Sequence, residues 1–315
     1  MHQLLNRLTG FAVVVSLAAA GAPPSDRPVQ LTREEAATIT RAIEQDRAES
    51  ERALKSDPTS YLAAVARQDF GARKTLTVGA AGDNDVQVTA PGVAAHHLRV
   101  GVDGGQFHVQ AVDAAARFTP QTKDPAAEKE LREATVGPSY IRVGRLTLRL
   151  SHQGFPAIIV FDPESPHFKT YKGYAFFPVD LQFRYELTLT PTPRQDTVII
   201  MSTRGNQRPA QRLGWFDFMV GKVPCRLEAV RLLEPGVGEN DVSIFFRDAT
   251  TGHETYPIAR YVDAIKQPNG RYLVDFNTAS NPACAYSEFY NCPIPPKANV
   301  LKVAIRAGEK DSHYH

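Results

Sequence analysis

The chain has 315 residues, enough for one large or two medium domains with a buried core. Its 36 Lys and Arg residues nearly balance its 34 Asp and Glu residues, which gives a formal net charge of +2. This balance excludes the strongly basic character that is typical of nucleic-acid-binding proteins, so we expect no nucleic-acid partner.

The N-terminus has the order of a secretory signal peptide. His2, Arg7 and the amino terminus form a short positive region, residues 11–17 are apolar, and residues 18–22 are small. We expect cleavage within residues 1–22, after position 20 or 22, and an exported protein that is periplasmic or secreted. The apolar run is short for a membrane anchor, which needs about 20 residues. We therefore expect no integral membrane segment after cleavage.

Residues 23–70 are predicted to be a linker followed by helices. Thr32 and Glu35 form a capping box, and Ile39 and Ile43 recur at helical spacing. These signals predict a helix over 33–55, with Arg47 on its polar face. A second, short helix is predicted after an Asp-Pro step.

From residue 74 onward, apolar and polar residues alternate in short runs that Gly and Asp clusters separate, which is typical of antiparallel strands. The sequence therefore predicts a mainly β fold. We assign one β-sandwich to residues 71–150 and a second antiparallel sandwich or barrel to residues 151–315. The last predicted strand covers residues 300–305.

The first β region resembles a forkhead-associated domain, a β-sandwich that reads phosphothreonine. Five positions fit that family's pattern: Gly79, Asn84, Asp85, Val86 and His97. Ala80 and Ala94 stand where the family has its phosphate-binding Arg and Ser. Phosphate recognition needs a cation and hydroxyl donors, so we expect a degenerate domain, a structural His97 and no phosphothreonine peptide partner.

The C-terminal half resembles an uncharacterised bacterial family, domain of unknown function 1684. Several motifs occur in order, over residues 245–256, 259–263, 274–277, 281–286, 292–296 and 307–310. The resemblance covers most of the chain after residue 61. It implies no activity. Residues 278–280 and Ala298 depart from the family pattern, which leaves any role at those positions open.

Polar residues of these motifs form the candidate ligand site. They flank apolar strand residues in a loop that several prolines stiffen: Arg260, Tyr261, Asp275, Asn277, Asn281, Glu309 and Lys310. In one interpretation they cap turns and pair internally, Arg260 with Glu309 or Asp275. In the other they line a pocket in which Arg260 and Lys310 face an anionic ligand.

The sequence carries no catalytic or metal-binding motif that we can identify. A nucleophile elbow, a His-Glu-x-x-His motif and a phosphate-binding loop are all absent from it. The catalytic residues are therefore unknown, and we expect no metal and no cofactor.

Three cysteines occur in a chain that we expect to be exported, and oxidising compartments favour disulfides. Cys284 and Cys292 lie close together in one loop and are predicted to pair. Cys225 begins a predicted strand and is expected to be a small buried residue.

Three functions remain open at this point. The first is an exported module that binds a small polar or anionic ligand or an envelope protein. The second is a hydrolase-like enzyme with a polar site between Arg260 and Lys310, whose acid and base are among Asp275, Glu309 and His253. The third is a structural scaffold that docks partners through its N-terminal helix.

Overall fold

The computed structural model describes residues 27–313, so the predicted signal peptide lies outside the described residues. The described chain divides into two compact units. The first unit comprises residues 53–171 and 286–290, and the second comprises residues 27–52, 172–285 and 291–313. No helix within 27–313 combines the length and apolar character that a membrane crossing requires.

The long N-terminal helix is confirmed. Helix α1 covers Arg33–Ser56, and the Thr32 main-chain amide and the Glu35 carboxylate make the predicted capping bond at 2.8 Å. The second predicted helix is a single 3-10 turn, Tyr61–Ala63, because the chain enters a strand at the next residue.

The strands of the first unit, in chain order, are β1 (Ala64–Asp69), β2 (Thr75–Gly79), β3 (Val86–Gln87), β4 (Leu98–Asp103), β5 (Gln106–Ala111), β6 (Thr119–Pro120), β7 (Glu133–Val136), β8 (Ser139–Val143), β9 (Leu146–His152) and β10 (Pro156–Phe161). A short helix, α2 (His167–Thr170), follows them.

Two five-stranded sheets form a β-sandwich in the first unit. Their strand orders are β1-β10-β9-β8-β6 and β3-β2-β4-β5-β7. Leu76 and Val109 of one sheet and Ile141 and Ile158 of the other belong to a single hydrophobic core. Because side chains alternate between the two faces of a strand, each sheet turns its apolar face to this core.

The boundary of the first unit differs from the predicted one after residue 150. Strand β10 pairs with β9 from His152 to Thr147, and also with β1. The predicted boundary therefore divides a hairpin, and the compact unit continues to Tyr171. A local sequence pattern shows that β10 is a strand but not which sheet it joins.

The strands of the second unit, in chain order, are β11 (Arg184–Leu187), β12 (Leu189–Met201), β13 (Gln207–Val220), β14 (Val223–Leu232), β15 (Ser243–Phe246), β16 (Arg260–Lys266) and β17 (Tyr272–Asp275).

These seven strands form one strongly curled antiparallel sheet, in the order β11-β17-β16-β15-β14-β13-β12. Strand β12 begins just after β11 ends, and its Leu189 pairs with Phe216 of β13. The two ends of the sheet therefore approach each other and the sheet is nearly closed, like a barrel. Phe216, Phe218 and Phe246 fill its interior. The predicted mainly β fold, with one N-terminal helix, is confirmed.

Candidate functional site

The C-terminal segment of the second unit is buried but irregular. The strand predicted over residues 300–305 is absent from the structure, so that prediction was wrong. Leu301, Ile305 and Ala307 still reach the core, which explains the alternating pattern. Leu301 N bonds Arg247 O, and Ala249 N bonds Val303 O. A buried segment without a full ladder needs other hydrogen-bond partners, and polar side chains supply them.

Arg260 is the central side chain that holds this segment by hydrogen bonds, and we call such a set of bonds a tie. It begins β16 and is 1% exposed. Its guanidinium donates to the carbonyl oxygens of Ile305, at 2.8 Å, and of Ala307. It also donates to the Asp248 carboxylate at 3.3 Å. Burial lowers the pKa of Arg260, and the ring of Phe246 lies 5.1 Å below it. Its two Nη atoms thus donate to the C-terminal segment and to Asp248, whereas its buried Nε has no partner among the described residues.

The Asp248 carboxylate is the counter-ion of Arg260 and is fully buried. The expected pairing of Arg260 with the carboxylate of Glu309 or Asp275 was therefore wrong. Thr250 Oγ1 donates to it at 2.7 Å, Thr251 Oγ1 at 3.1 Å and Ile305 N at 2.6 Å. A buried carboxylate with one cation and three further donors is well compensated. Together, Asp248 and Arg260 hold residues 305–307 in place.

Glu309 and Asn281 form the second tie. The Asn281 main-chain amide donates to Glu309 Oε2 at 2.7 Å, and its side-chain amide donates to Oε1 at 2.8 Å. Glu309 is 2% exposed. Burial raises its pKa to about 8, although the bonds from Asn281 oppose the shift. Asn281 also donates to Lys310 O at 2.9 Å, so it holds two consecutive residues.

Gly308 is required where the segment passes closest to the preceding loop. Its φ is +80°, a conformation that residues with a side chain rarely adopt. A Cβ at this position would lie 2.6 Å from Phe276 O and 2.5 Å from Ala279 O. Glycine at position 308 thus allows the chain over residues 307–310 to pack closely against residues 276–279.

Asp275 and Asn277 form a separate polar group at the end of β17. Asp275 Oδ1 accepts from the main-chain and side-chain amides of Asn277, both at 2.9 Å. Its other oxygen binds the guanidinium of Arg184. Asn277 bonds both backbone groups of Asp180 at 2.8 Å. The sequence expectation that these two residues cap turns matches this geometry.

Arg47 completes this group, although the helical pattern predicted it to lie on the polar face of α1. It is half-buried, and its guanidinium donates to Phe177 O at 3.0 Å and Asn277 O at 2.9 Å. It also lies 4.4 Å from the ring centroid of Phe176. Burial lowers its pKa. Helical periodicity gives no signal for such a contact, because both carbonyl groups come from distant loops.

The side chains of Tyr261 and Lys310 make contacts outside these two sets of hydrogen bonds. The Tyr261 hydroxyl donates to Pro293 O, and its ring meets Phe245 edge-on at 4.7 Å. Lys310 is half-buried, with its ammonium nitrogen 5.4 Å from the ring centroid of Phe177. Arg260 and Asn281 thus both bind the C-terminal segment, which contains Glu309 and Lys310. The remaining candidates contact other loops.

The residues considered for acid–base chemistry have different surroundings. His253 is exposed in the turn that follows Asp248. Asp275 forms an ion pair with Arg184 and accepts a hydrogen bond from Asn277. Glu309 accepts hydrogen bonds from Asn281. Among residues 27–313, no cluster of three His, Cys, Asp or Glu side chains suits a metal ion.

The three cysteines are thiols in the structure. Cys225 lies in the core of the barrel-like sheet. Cys284 and Cys292 are adjacent, and the Cys284 main-chain amide donates to Cys292 Sγ at 3.3 Å. A hydrogen bond from Cys292 lowers the pKa of Cys284, whereas burial raises the pKa of Cys292. The predicted disulfide is not formed here and stays a prediction.

The loops of the first unit keep the structural part of the forkhead-associated pattern. The Asn84 side chain donates to the carbonyl oxygens of Ala81 and Ala95. His97 is buried, and its Nδ1 accepts from Ala94 N at 3.0 Å. Ala80 N donates to Ala94 O at 3.0 Å, so the two alanines are neighbours across the loops.

Comparison with known proteins identifies a family in the second unit. Residues 169–310 match the family described as "Protein of unknown function (DUF1684)". No curated protein matches the chain.

Two solved structures show limited similarity. An uncharacterized protein of Haloarcula marismortui is 27% identical over 49% of this chain and 85% of its own, with a TM-score of 0.39. EmbR of Mycobacterium tuberculosis, solved with a low affinity phosphopeptide, is 11% identical over 42% of this chain and 32% of its own, with a TM-score of 0.20.

The family match covers all seven strands of the barrel-like sheet and all seven candidate residues. The resemblance that the sequence motifs indicated is thereby confirmed over residues 169–310, which match the DUF1684 family. The match begins at residue 169 and not near residue 61, where the resemblance was expected to begin.

Proposed function

We propose that this chain is an exported, non-enzymatic β-rich module that binds a small anionic or polar ligand through its C-terminal segment. An envelope protein with an acidic surface is the alternative partner. The observation that carries the proposal is the environment of Lys310, a half-buried cation at the end of a rigid segment.

The ammonium group of Lys310 has an aromatic neighbour and, among residues 27–313, no carboxylate within ion-pair distance. The pKa of Glu254 is lowered by a hydrogen bond from its ion-pair partner Arg306 and, to a smaller degree, by the nearby charge of Lys310. The ammonium group lies over the ring of Phe177 and makes no ion pair among the described residues. Partly buried charges in proteins are usually paired. The open side of this ammonium is therefore suited to an anion, which would gain a charge-assisted hydrogen bond.

The backbone that carries Lys310 is fixed before any ligand arrives. Lys310 N donates to Ala175 O at 2.7 Å, and its carbonyl oxygen accepts from Asn281. A preorganised group loses little conformational freedom on binding. In this proposal the ties made by Arg260 and Glu309 serve binding indirectly, by holding the segment.

The expected export favours ligands of the cell envelope. Phosphate, small carboxylic acids and acidic glycans all present oxygen anions that a lysine can recognise. In this proposal the exported module captures or displays such a ligand and does not convert it.

Thermal unfolding with a panel of anions tests the proposal. The mature chain is heated with phosphate, citrate or a uronic acid oligosaccharide. At about 100 times Kd, a ligand stabilises the folded state by about 2.7 kcal/mol. We expect stabilisation by at least one anion in the parent, its loss in Lys310→Ala, and its retention in Lys302→Ala. Lys302 is an exposed cation of the same segment and is the matched control.

Two results would contradict the proposal. One is the absence of stabilisation by every anion in the panel. The other is an equal loss of the ligand effect in both lysine variants, which would indicate general charge screening instead of a site.

The raised pKa of Glu309 favours a second candidate, a hydrolase-like enzyme. A carboxylic acid with a pKa of about 8 is protonated at neutral pH, as a general acid must be, but Glu309 is 2% exposed and would have to become accessible to a substrate. Chromogenic ester and glycoside substrates test this function. Turnover in the parent that Glu309→Gln abolishes, in a folded protein, would support it. The proposed binding function predicts no turnover.

A further inference from the structure

Two neighbouring thiols of the second unit differ in how accessible they are. Cys284 lies in the 3-10 turn Ala283–Ala285 and is partly exposed. Cys292 is 0% exposed. The Cys284 main-chain amide donates to Cys292 Sγ at 3.3 Å, and the Cys292 thiol also hydrogen-bonds the Cys284 sulfur. A reagent in solution therefore meets Cys284 first, and Cys292 lies directly behind it.

The backbone at each thiol is held by a different part of the unit. Cys292 N donates to Thr203 Oγ1 at 3.0 Å, and Thr203 N donates to Cys292 O at 2.9 Å. The Tyr256 hydroxyl donates to Cys284 O at 3.2 Å. All these bonds are present while both thiols are reduced. The two sulfur atoms are thus held side by side before any reaction between them.

The Tyr256 hydroxyl is also a hydrogen-bond donor to the Cys284 sulfur, at 3.8 Å. Burial raises the pKa of Tyr256, and the nearby Cys284 raises it further, so the phenol keeps its proton and remains a donor. The hydrogen bonds from Cys292 and from Tyr256 lower the pKa of Cys284, although burial opposes them. They favour the thiolate, which is the nucleophilic form of cysteine.

Cys292 has the opposite environment. Burial raises its pKa, the contact with Cys284 raises it further, and Arg208 opposes both. Arg208 is 2% exposed and donates at 2.5 Å to the carbonyl oxygen of Asn291, the residue before Cys292. A partly exposed thiolate in front of a buried thiol is an arrangement suited to thiol–disulfide exchange, because the first can attack and the second can resolve.

We propose that Cys284 attacks disulfides of low-molecular-weight thiols and that Cys292 resolves the mixed disulfide that results. In the first step the Cys284 thiolate bonds one sulfur of the disulfide, and the other half leaves as a thiolate and takes up a proton. In the second step Cys292 loses its proton to solvent and bonds the Cys284 sulfur, which displaces the remaining half. The two cysteines lose two electrons and two protons, and the disulfide gains them as two free thiols.

The position of Cys284 favours a small disulfide over a protein disulfide. Its neighbours Ala283 and Ala285 are 5% and 3% exposed, so the sulfur lies in a recessed turn that a bulky substrate approaches poorly. The expected export brings the chain into an oxidising compartment, where disulfides are available reactants. The reaction uses one disulfide per chain, reverses when excess thiol is present, and does not use Lys310.

Intact-mass measurement after reaction with hydroxyethyl disulfide tests the proposal. This probe is uncharged, so anion binding at Lys310 does not affect the result. The reduced parent should lose two hydrogen atoms and retain none of the probe. Cys292→Ala should stop at the mixed disulfide, with one half of the probe on Cys284. Cys284→Ala should not react while folded. Cys225→Ala removes the third thiol and is the matched control, which should react as the parent does.

Two measurements on chains that keep both thiols extend the test. Tyr256→Phe removes the donor to the Cys284 sulfur and should move the pH of the half-maximal reaction rate upward. Tyr272→Phe, in an aromatic pair with Phe216 elsewhere in the unit, is its control and should leave that pH unchanged. The oxidised parent should regain both thiols when excess mercaptoethanol is added to the folded protein.

Four results would overturn the proposal. The first is a folded parent that does not react although the unfolded chain does. The second is a parent that retains the probe, because Cys292 then does not resolve it. The third is equal reaction of the folded Cys284→Ala and Cys292→Ala variants. The fourth is a disulfide in the parent that mercaptoethanol reduces only after unfolding, which would identify a static cross-link.

Discussion

The amide groups of Asn281 hold the Glu309 carboxyl at both oxygens, with donor–acceptor distances of 2.7 and 2.8 Å. Burial nevertheless raises the pKa of Glu309 from 4.5 to about 8. The folded protein therefore binds the proton more tightly than the unfolded chain does. The stability contributed by this group is complete below about pH 4.5 and is lost as the pH rises toward 8.

We accordingly expect the free energy of unfolding to fall between about pH 5 and pH 8, with a slope of up to about 1.4 kcal/mol per pH unit from this group. Glu309→Gln removes the titration and should flatten the slope. Asp217→Asn changes an exposed carboxylate and is the control. Urea unfolding at several pH values measures the effect. Equal slopes in the parent and Glu309→Gln would show that Glu309 does not titrate in this range.

The hydrogen bonds of Arg260 predict a large effect on stability when this side chain is removed. Arg260→Ala removes the cation that pairs with the buried Asp248 carboxylate and the donor to the carbonyl oxygens of Ile305 and Ala307. Breaking a buried pair in this way costs about 3–5 kcal/mol. Arg226→Ala removes the exposed partner of Asp217 and should change stability little. Denaturant midpoints compare the two. A parent-like midpoint for Arg260→Ala would mean that the segment does not depend on this tie.

These residues also show what sequence reasoning could and could not provide. The capping box and the spacing of Ile39 and Ile43 are local, so helix α1 was predictable. The roles of Arg260 and Arg47 are not local. Arg47 binds carbonyl groups 130 and 230 residues away, and no periodicity encodes such a partner.

The strand predicted over 300–305 failed for a related reason. Its alternation is real, since Leu301 and Ile305 are buried, but alternation indicates an extended, half-buried chain and not a hydrogen-bonded ladder. Likewise, the sequence predicted that the polar motif residues belong to one region of the chain. It did not predict that Arg260 and Asn281 bind the C-terminal segment whereas Asp275 and Asn277 bind other loops, because that division depends on which loops meet in the fold.

The loops of the first unit predict no phosphothreonine binding. Ala80 and Ala94 are neighbours and supply neither a cation nor a hydroxyl. Fluorescence polarisation with phosphothreonine peptide libraries should show no binding by the parent. The double variant Ala80→Arg, Ala94→Ser restores both groups side by side and should gain affinity. Binding by the parent that phosphatase treatment abolishes would contradict this expectation.

The N-terminal sequence predicts export. Protein recovered from the cell envelope or medium should begin near Gly21 or Pro23 when its N-terminus is sequenced. Replacing Val14 and Val15 by Asp interrupts the apolar run and should leave an uncleaved form in the cytosol. Recovery of the parent with Met1 intact in the cytosol would show that the segment does not direct export.

The last prediction is a disulfide between Cys284 and Cys292 in the exported protein. The two thiols are already adjacent, and a hydrogen bond from Cys292 lowers the pKa of Cys284, which favours its thiolate as the attacking group. Closing a short loop should stabilise the fold by roughly 2–3 kcal/mol in the chain-entropy model.

Cys225 lies in the barrel core and should stay reduced. Peptide mapping without reductant should find linked Cys284 and Cys292 peptides, with Cys225 alkylated after unfolding. Three alkylated cysteines in native exported protein, or a bridge to Cys225, would refute this pairing.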